Sequence, residues 1–160
     1  MMNFISMLSP TGPLTLFEDT GKIIAVEWGQ AKGGIATPLL TETKKQLREY
    51  FARERKTFEL PLNPIGTKFQ KAVWQQMLKI PYGETKTYGD LATTLKSAAR
   101  AVGGACGKNP IPIIIPCHRV MGANGKLTGF SGGAGVETKE ALLRLETPVK
   151  NTPKQTNFEF

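Results

Sequence analysis

The sequence contains very few of the residues that build metal sites and disulfide frameworks. Its 160 residues include one histidine and two cysteines. These three side chains cannot form a four-ligand zinc site unless carboxylates complete it, and two thiols form at most one disulfide. We therefore expect no bound metal, no cofactor and no disulfide framework, and the scarcity of cysteine indicates a reducing compartment.

Long hydrophobic segments are also missing. The first ten residues have no basic region ahead of their short apolar stretch, and no run approaches the roughly 18 apolar residues that a membrane span needs. We expect a chain that is neither secreted nor inserted in a membrane, and that lies in the cytoplasm, or in the nucleus if the organism is eukaryotic. A chain of 160 residues is long enough to bury about two thirds of its unfolded surface, in one domain or two small lobes.

Acidic residues are scarce in the second half of the chain. The whole sequence has 21 Lys and Arg against 13 Asp and Glu, which gives a formal net charge of +8. Residues 1–63 hold 8 basic and 7 acidic side chains, whereas residues 64–146 hold 11 and 5. Most of the excess positive charge therefore follows residue 63. A solvated basic face accounts for such an excess about as well as a polyanionic partner does.

The first part of the chain has the pattern of a small α/β lobe. Turn residues separate three short apolar segments, which predicts an antiparallel meander. The segments are residues 4–8, 14–18 and 23–28. Apolar residues recur at helical spacing over residues 41–55, so a helix is expected to cover this sheet. Residues 57–60 are predicted to add a strand, and the Pro-Leu-Asn-Pro segment at 61–64 has the composition of a linker, which places the end of the N-terminal lobe at residue 63.

The second part of the chain has the pattern of a mainly helical lobe. Helices are predicted at residues 67–79, 88–95, 98–107 and 136–146. Thr87, with Asp90 three residues later, has the spacing of a capping box, and Ser97 is the candidate cap of the next helix. Two short helices joined by a tight turn predict a helix-turn-helix. Residues 111–115 form a fully apolar run that predicts a buried strand.

The helix predicted at residues 98–107 is unusually bare. It consists mostly of alanine and glycine, and Arg100 is its only long side chain. Each interior glycine costs about 1 kcal/mol of helix stability relative to alanine, so Gly103 and Gly104 indicate that something approaches this backbone closely. Either another helix packs there, or the bare face enters a widened minor groove of DNA. In the second case Arg100 would stand where a wedge enters the base stack.

The single histidine adjoins one of the two cysteines. Cys117 and His118 follow the predicted buried strand, and a strand end presents side chains from a rigid position. An imidazole that accepts the thiol proton, directly at a turn or through a water, makes the nucleophile available. Glu146, which closes the apolar last helix, is the candidate for orienting the imidazole, with an exposed helix-terminal glutamate as the alternative. Cys106, in the bare helix, is interpreted as a small buried thiol.

The motifs in the second half of the chain resemble one protein family. They are Arg100-Ala101-Val102-Gly103-Gly104-Ala105, Asn109-Pro110, Pro116-Cys117-His118-Arg119-Val120 and Thr128-Gly129-Phe130-Ser131-Gly132-Gly133. In this order they closely resemble the methylated-DNA:protein-cysteine methyltransferases, also called O6-alkylguanine-DNA alkyltransferases. The resemblance is strong over residues 64–146 and weaker at residues 9–16. It implies an α/β N-terminal lobe, then a helical DNA-binding and active-site lobe with a helix-turn-helix, and residues 147–160 are expected to form a flexible tail.

The resemblance implies a single, irreversible reaction of DNA repair. An alkyl group passes from O6 of a flipped guanine, or from O4 of methylated thymine, to a cysteine of the protein itself. By this resemblance Cys117 is the nucleophile, His118 is the base that acts through a water, and Glu146 orients His118. Tyr88 would donate a proton to N3 of the guanine, so that guanine leaves as a neutral species.

The resemblance also implies the residues that hold the substrate and the DNA. Ser131 would donate a hydrogen bond to O6, and the carbonyls of Cys117 and Val120 would accept from the exocyclic amine. Asn109 would tie the turn that holds the site, and Arg100 would fill the vacated stack. Further DNA contacts are expected from Ala99, Ala101, Gly103, Gly104 and Lys108. The implied partner is double-stranded DNA containing alkylated guanine, bound through its minor groove by a monomer.

Two other functions are compatible with the same residues. A thiol hydrolase or acyltransferase would use the Cys117 and His118 pair over many turnovers. A damage-binding module without chemistry would keep its whole function when Cys117 is replaced by alanine. The positive lobe and the bare helix argue against the hydrolase, because neither feature has a role in it.

Overall fold

An antiparallel three-stranded sheet opens the chain. The structure, a computed structural model, describes residues 2–127 and 135–147. The strands are β1 (Met2–Met7), β2 (Leu14–Asp19) and β3 (Lys22–Trp28), and they pair in the order β1-β2-β3. This is the predicted meander. Its inner face carries side chains such as Leu14 and Leu16, which are fully buried because apolar positions alternate along β2.

Helix α1 (Pro38–Phe51) packs on this sheet. It begins three residues before the predicted start, because Thr37 caps it: the Thr37 hydroxyl accepts from the backbone N–H of Leu40 at 3.1 Å. Pro38 follows in the first turn, where N–H groups have no acceptor within the helix, so the missing N–H of proline costs no hydrogen bond. The helix ends four residues earlier than predicted, and Arg53 then turns the chain with a left-handed φ of 63°.

Residues 57–60 do not form a strand, so that prediction is wrong. The side-chain amide of Gln46, in α1, takes up the backbone hydrogen bonds that a strand would offer to a sheet. Its oxygen accepts from the N–H of Glu59 at 3.0 Å, and its nitrogen donates to the carbonyl of Glu59 at 3.3 Å. The segment that follows, residues 61–63, is held to β3 by two hydrogen bonds of 2.8 Å with the backbone of Ile23.

Four helices and two very short strands make up the rest of the described chain. The helices are α2 (Lys68–Leu78), α3 (Tyr88–Leu95), α4 (Ala99–Gly107) and α5 (Val136–Glu146), and the strands are β4 (Lys86–Thr87) and β5 (Val120–Met121). The predicted capping box of α3 is confirmed: Thr87 accepts from the N–H of Asp90 at 3.0 Å, and Asp90 accepts from the N–H of Thr87 at 2.9 Å. Helices α3 and α4 pack against each other as the predicted helix pair.

Ser97 does not cap α4, which corrects the prediction. The N-cap residue is Ala98, and its side chain makes no capping hydrogen bond. Ser97 instead completes the end of α3, where its N–H donates to the carbonyl of Ala92 at 2.9 Å after Lys96 has taken a left-handed φ of 54°. Because Ser97 is used to close α3, the N-cap position of α4 falls on the next residue, Ala98.

The apolar run at residues 111–115 is buried as predicted, but it is a turn and not a strand. Three prolines in and beside the run, Pro110, Pro112 and Pro116, lack N–H donors that a strand would need, and Ile115 instead donates to the carbonyl of Ile111 at 2.9 Å. Ile113 takes a left-handed φ of 75°, which costs a β-branched residue about 1–3 kcal/mol. Asn109 braces this turn by donating to the Ile115 carbonyl at 2.9 Å and accepting from the Ile111 N–H at 3.0 Å.

One hydrophobic core joins the sheet and α1 to the helices that follow. Among its largest fully buried side chains are Tyr50, Trp74, Met77, Leu47 and Ile115. Trp74 also donates its indole N–H to the carbonyl of Ala105 at 2.9 Å, which ties α2 to α4. Among the described residues, no helix combines the length and the apolar character that crossing a membrane requires.

Candidate active site

The site forms where β4 and β5 run side by side. β4 leads directly into Tyr88, the first residue of α3, and β5 starts directly after a single 3-10 turn formed by Cys117–Arg119. The parallel register places Lys86 opposite Val120. This short pairing therefore brings the N-terminus of α3 next to the turn that carries the predicted nucleophile.

Cys117 begins the 3-10 turn, and does not stand at a strand end as predicted. Its side chain is buried, with 7% of the residue exposed, and its N–H donates to the carbonyl of Ile115 at 2.8 Å. Burial raises the pKa of the Cys117 thiol, and a hydrogen bond from Asn109 and the charge of Lys139 oppose this shift only in part. The predicted nucleophile is therefore a neutral thiol at rest.

His118 is completely buried, and one of its ring nitrogens contacts Glu146. The Nε2 atom lies 2.6 Å from Oε2 of Glu146. Because an ionised carboxylate can only accept, Nε2 carries the proton and Nδ1 keeps its lone pair. Nδ1 has no hydrogen-bond partner within the described part of the chain. Burial, together with the charges of Arg119 and Lys139, lowers the pKa of His118 although Glu146 opposes this shift, so the imidazole is neutral and able to take a proton through Nδ1.

Glu146 receives hydrogen bonds from four residues. Its Oε1 accepts from Arg119 Nε at 2.8 Å and from the N–H of Gly83 at 3.4 Å. Its Oε2 accepts from His118, from Arg119 Nη2 at 3.0 Å and from the hydroxyl of Tyr50 at 2.6 Å. Burial alone would raise the pKa of this carboxyl, but the bonds from His118 and Arg119 outweigh burial and lower the pKa to about 2. The structure therefore places the predicted residue as a fixed, buried carboxylate, and not as an exposed helix end.

Gly83 contributes to this arrangement through its backbone. It has a left-handed φ of 81°, and a Cβ atom at this position would lie 3.3 Å from the carbonyl oxygen of Glu146. Glycine is thus the residue that allows the chain to turn so close to the end of α5 while its N–H still faces the carboxylate.

Lys139 connects Tyr88 with the turn that carries the thiol. It belongs to α5 and is 1% exposed. Its Nζ atom donates to the carbonyl of Val120, lies 3.4 Å from the Tyr88 hydroxyl and stands 5.6 Å from the centre of the Tyr88 ring. Burial lowers the pKa of Lys139, and the nearby Cys117 and Cys106 thiols oppose that shift. A buried amino group therefore lies beside both the predicted proton donor and the Val120 carbonyl.

Sequence reasoning does not find three of these residues: Tyr50, Arg119 and Lys139. Arg119 stands inside the motif around Cys117. A buried carboxylate, such as the one predicted at Glu146, needs a cationic partner, and this requirement points to Arg119. Tyr50 falls among the apolar residues that recur at helical spacing over residues 41–55, and nothing in that pattern sets it apart. Lys139 occupies an ordinary polar position of α5, and no sequence pattern marks it.

Helix α4 presents its bare face to the outside. Val102, Ala105 and Cys106 form its buried face. Of the six predicted DNA-contacting residues, Gly103 is half-buried and the others are exposed: Ala99, Arg100, Ala101, Gly104 and Lys108. A Cβ atom at Gly104 would meet nothing within 4 Å, and one at Gly103 would meet only the Tyr88 ring, at 4.0 Å. Packing against another helix within residues 2–127 and 135–147 therefore does not explain the two glycines.

A cavity of about 540 Å³ opens between α3 and α4. Its lining residues are Thr87, Tyr88, Gly89, Ala99, Arg100, Gly103 and Ala123. The lining brings Tyr88, the first residue of α3, together with three residues of α4. The cavity therefore connects the proposed proton donor with the proposed DNA-contacting surface.

Cys106 has the structural role that its sequence position indicates. Its thiol is buried 3.5 Å from the sulfur of Met77, and burial raises its pKa to about 12. Ser131, the predicted donor to O6, lies outside the described residues. Within residues 2–127 and 135–147, no group of three or more His, Cys, Asp or Glu is placed to hold a metal ion.

Comparison with known proteins gives matches over both parts of the chain. Residues 2–64 match the family model for the ribonuclease-like domain of 6-O-methylguanine DNA methyltransferase, and residues 68–148 match the model for its DNA binding domain. The methylated-DNA–protein-cysteine methyltransferase of Methanosarcina acetivorans is 47% identical over 148 residues, which cover 86% of this chain and 94% of that protein.

Solved structures give the same result. The O6-methylguanine methyltransferase of Mycobacterium tuberculosis has a TM-score of 0.81 at 40% identity, with 97% of each chain covered. OGT of the same organism, solved in complex with DNA, also has a TM-score of 0.81, at 44% identity over 89% of this chain and 91% of that chain. Fold and site thus define a DNA-repair transferase that uses a thiol of its own chain. The chain belongs to the methylated-DNA–protein-cysteine methyltransferase family.

Proposed function

We propose that this chain repairs DNA by moving an alkyl group from O6 of guanine in a duplex to Sγ of Cys117. The new bond joins sulfur to the alkyl carbon, and the bond between that carbon and O6 breaks. The arrangement that carries the proposal is the buried relay of Cys117, His118 and Glu146 in the lobe that exposes the bare face of α4. Because no group in the proposal cleaves the new thioether, each molecule reacts once.

The relay supplies the base for this reaction. The thiol proton passes through a water to Nδ1 of His118, the ring nitrogen that has a lone pair and no protein partner in the described residues. Glu146 stabilises the imidazolium through the 2.6 Å hydrogen bond to Nε2. Arg119 holds the carboxylate with two nitrogens, so the ring keeps one orientation while the proton moves.

Tyr88 and Lys139 act on the leaving guanine. Tyr88 donates its hydroxyl proton towards N3 of the base, and Lys139 stabilises the phenolate that this transfer leaves. The carbonyls of Cys117 and Val120 accept from the exocyclic amine, since the Val120 oxygen has a second lone pair besides the one that Lys139 uses. In this proposal Ser131 binds O6, and O4 of methylated thymine is an alternative substrate atom.

The proposed partner is double-stranded DNA, bound through the minor groove by one copy of the chain. The bare face of α4 fits a groove about 6 Å wide more readily than a helix with long side chains does. The net charge of residues 64–146, with 11 basic and 5 acidic side chains, complements the phosphate backbone. The compartment we infer is the one that holds the DNA, the cytoplasm of a cell without a nucleus.

Leucine in place of Gly104 tests the bare face. We expect Gly104→Leu to weaken binding to duplex DNA by about tenfold or more, which corresponds to ~1.4 kcal/mol. The fold has room for this side chain, because a Cβ atom at Gly104 meets nothing within 4 Å. Helix propensity also favours leucine over glycine, by somewhat less than 1 kcal/mol. Fluorescence anisotropy with a labelled duplex gives the affinity, and thermal unfolding gives the stability.

Thr41→Leu is the matched control, because Thr41 is an exposed helix residue on α1, away from α4. It should leave DNA affinity unchanged. Wild-type affinity in Gly104→Leu would remove α4 from the DNA interface.

Arg100→Ala tests the wedge that we propose for base flipping. We expect the rate of alkyl transfer to fall about tenfold, while affinity for undamaged duplex changes less, because the wedge acts only after the base has left the stack. Lys108→Ala is the control for charge. It removes one exposed cation at the end of α4, so it should weaken binding to all duplexes and lower the salt dependence by about one unit. An unchanged transfer rate in Arg100→Ala would remove the wedge role.

The proposed function has a direct test. The protein is incubated with an excess of duplex that contains O6-methylguanine, and its intact mass is then measured. We expect one added methyl group per protein molecule, and peptide mapping should place it on Cys117. Protein that keeps its original mass, while the DNA remains methylated, would contradict the proposal.

A further inference from the structure

Tyr50 brings a hydroxyl group from the N-terminal lobe to the buried carboxylate of the relay. Its oxygen donates to Oε2 of Glu146 at 2.6 Å, across a sequence separation of 96 residues, and both side chains are buried. The same Oε2 atom accepts from Nε2 of His118 at 2.6 Å. Tyr50 and His118 therefore both donate hydrogen bonds to the same oxygen atom of Glu146.

We propose that Tyr50 is a positioning residue for alkyl transfer. Through its hydrogen bond to Glu146, it sets how strongly His118 binds a proton. This inference rests on the proposed function. It assigns part of the reaction machinery to the N-terminal lobe, which otherwise serves only as packing for the site.

The physical argument concerns the charge on one oxygen atom. Each donor that binds Oε2 draws electron density from it and weakens it as an acceptor for the other donors. Without the Tyr50 hydroxyl, Oε2 would attract the proton on Nε2 more strongly, and the imidazolium form of His118 would be favoured. Burial and the charge of Glu146 raise the pKa of Tyr50, so the phenol remains a donor throughout the accessible pH range.

The other charged groups around the carboxylate are not altered by this substitution. Arg119 binds both oxygens of Glu146, and Tyr82 and the Gly83 N–H approach from the segment after α2. Lys139 acts on His118 from α5, through its charge. A change in the behaviour of His118 after loss of the Tyr50 hydroxyl is therefore assigned to that hydroxyl.

Tyr50→Phe removes the hydroxyl and keeps the ring. The ring is held by aromatic neighbours: Phe51 at 5.3 Å, Phe58 at 5.5 Å and Tyr82 at 6.2 Å between ring centres. We expect the variant to fold and to bind DNA as the wild type does. The acidic limb of its profile of transfer rate against pH should move upward by roughly 0.5 to 1 pH unit. On that limb the rate would fall by about three- to tenfold, with little change at higher pH.

Tyr82→Phe is the matched control. Its hydroxyl donates to the backbone carbonyl of Leu145 at 3.4 Å, beside Glu146, and makes no bond to the carboxylate. Single-turnover rates of both variants are measured from acidic to neutral pH with duplex that contains O6-methylguanine. A shift in Tyr50→Phe and none in Tyr82→Phe would establish the positioning role.

Two results would overturn the inference. One is a wild-type pH profile in Tyr50→Phe, and the other is an equal shift in both variants, which would indicate a general effect of losing a phenol near the relay. If the wild-type protein itself transferred no methyl group, the proposed function would fail instead. The two failures are therefore distinguishable in the same experiment.

Discussion

Cys117→Ala is expected to remove alkyl transfer completely while DNA binding persists. In the proposed reaction the side chain at this position supplies the atom that binds the alkyl group, so no other residue of the relay can replace it. Cys117 lies in the buried 3-10 turn, and alanine fits there without crowding. The exposed face of α4 is unchanged, so affinity for duplex DNA should stay within about twofold of the wild type, which is less than ~0.5 kcal/mol.

Cys106→Ala is the control for the second thiol. Cys106 is buried against Met77, and burial raises its pKa to about 12, so it is expected to take no part in the reaction. The Cys106→Ala protein should still gain one methyl group per molecule, as measured by intact mass. Full function of Cys117→Ala would instead favour a binding module without chemistry, and repeated turnover on esters or peptides by the wild type would favour a thiol hydrolase.

Glu146→Gln is expected to lower both the rate of alkyl transfer and the stability of the fold. A neutral amide cannot stabilise the imidazolium of His118, so the transfer rate should fall by about 100-fold or more. The guanidinium of Arg119, which makes two bonds to the carboxylate, would lose its charged partner in a buried position. From a carboxyl pKa of about 2, against an ordinary value of 4.5, we expect a loss of about 3 kcal/mol in the free energy of unfolding at neutral pH.

The pH dependence of stability separates this effect from a general loss of packing. The lowered pKa of Glu146 means that its carboxylate stabilises the folded state above about pH 4.5, and that this contribution disappears as the pH falls towards about 2. The difference in stability between wild type and Glu146→Gln should therefore shrink over this range. Urea denaturation at a series of pH values measures it.

Glu140→Gln is the comparison variant for this experiment. Glu140 lies on the same helix, but its bridge to Arg144 is exposed to solvent and measures 3.5 Å. An exposed ion pair contributes little to the free energy of unfolding. The Glu140→Gln variant should therefore unfold and react as the wild type does. A difference between wild type and Glu146→Gln that stays constant down to pH 2 would contradict the role of the carboxylate charge.

Local sequence signals predicted the fold well where the determining contacts are local. The capping box of Thr87 and Asp90 sets the start of α3 through atoms three residues apart, and such spacing is visible in a sequence. The strands of the meander follow from alternating polarity and turn residues in the same way. The motif around Cys117 also led to the family to which the chain belongs.

The errors arise where side-chain hydrogen bonds decide the backbone conformation. Residues 57–60 have strand composition, but the side chain of Gln46 takes their hydrogen bonds. The run at 111–115 is as apolar as a buried strand, yet its prolines and the brace from Asn109 make it a turn. The spacing of apolar residues reports neither of these side-chain hydrogen bonds.

The same limit applies to the candidate site. Cys117, His118 and Glu146 were identified, because a thiol beside a histidine and a carboxylate that closes an apolar helix are unusual in sequence. Tyr50 and Lys139 have no such mark: a tyrosine among apolar helix positions and a lysine in a polar helix are both common. Their significance comes only from the three-dimensional structure, in which each lies beside a reacting group or its partner.

The long sequence separation between Tyr50 and Glu146 has a consequence for the order of folding. A contact across 96 residues closes late, because local contacts form first and a long loop must close before this one does. On the ribosome, the N-terminal lobe emerges with its phenol before α5 has been synthesised. The relay is thus completed only when α5 docks onto the rest of the protein. By the proposed mechanism, a nascent or partly folded chain already has His118 beside its thiol but lacks the Glu146 carboxylate that orients the imidazole, so we expect alkyl transfer only after α5 has docked.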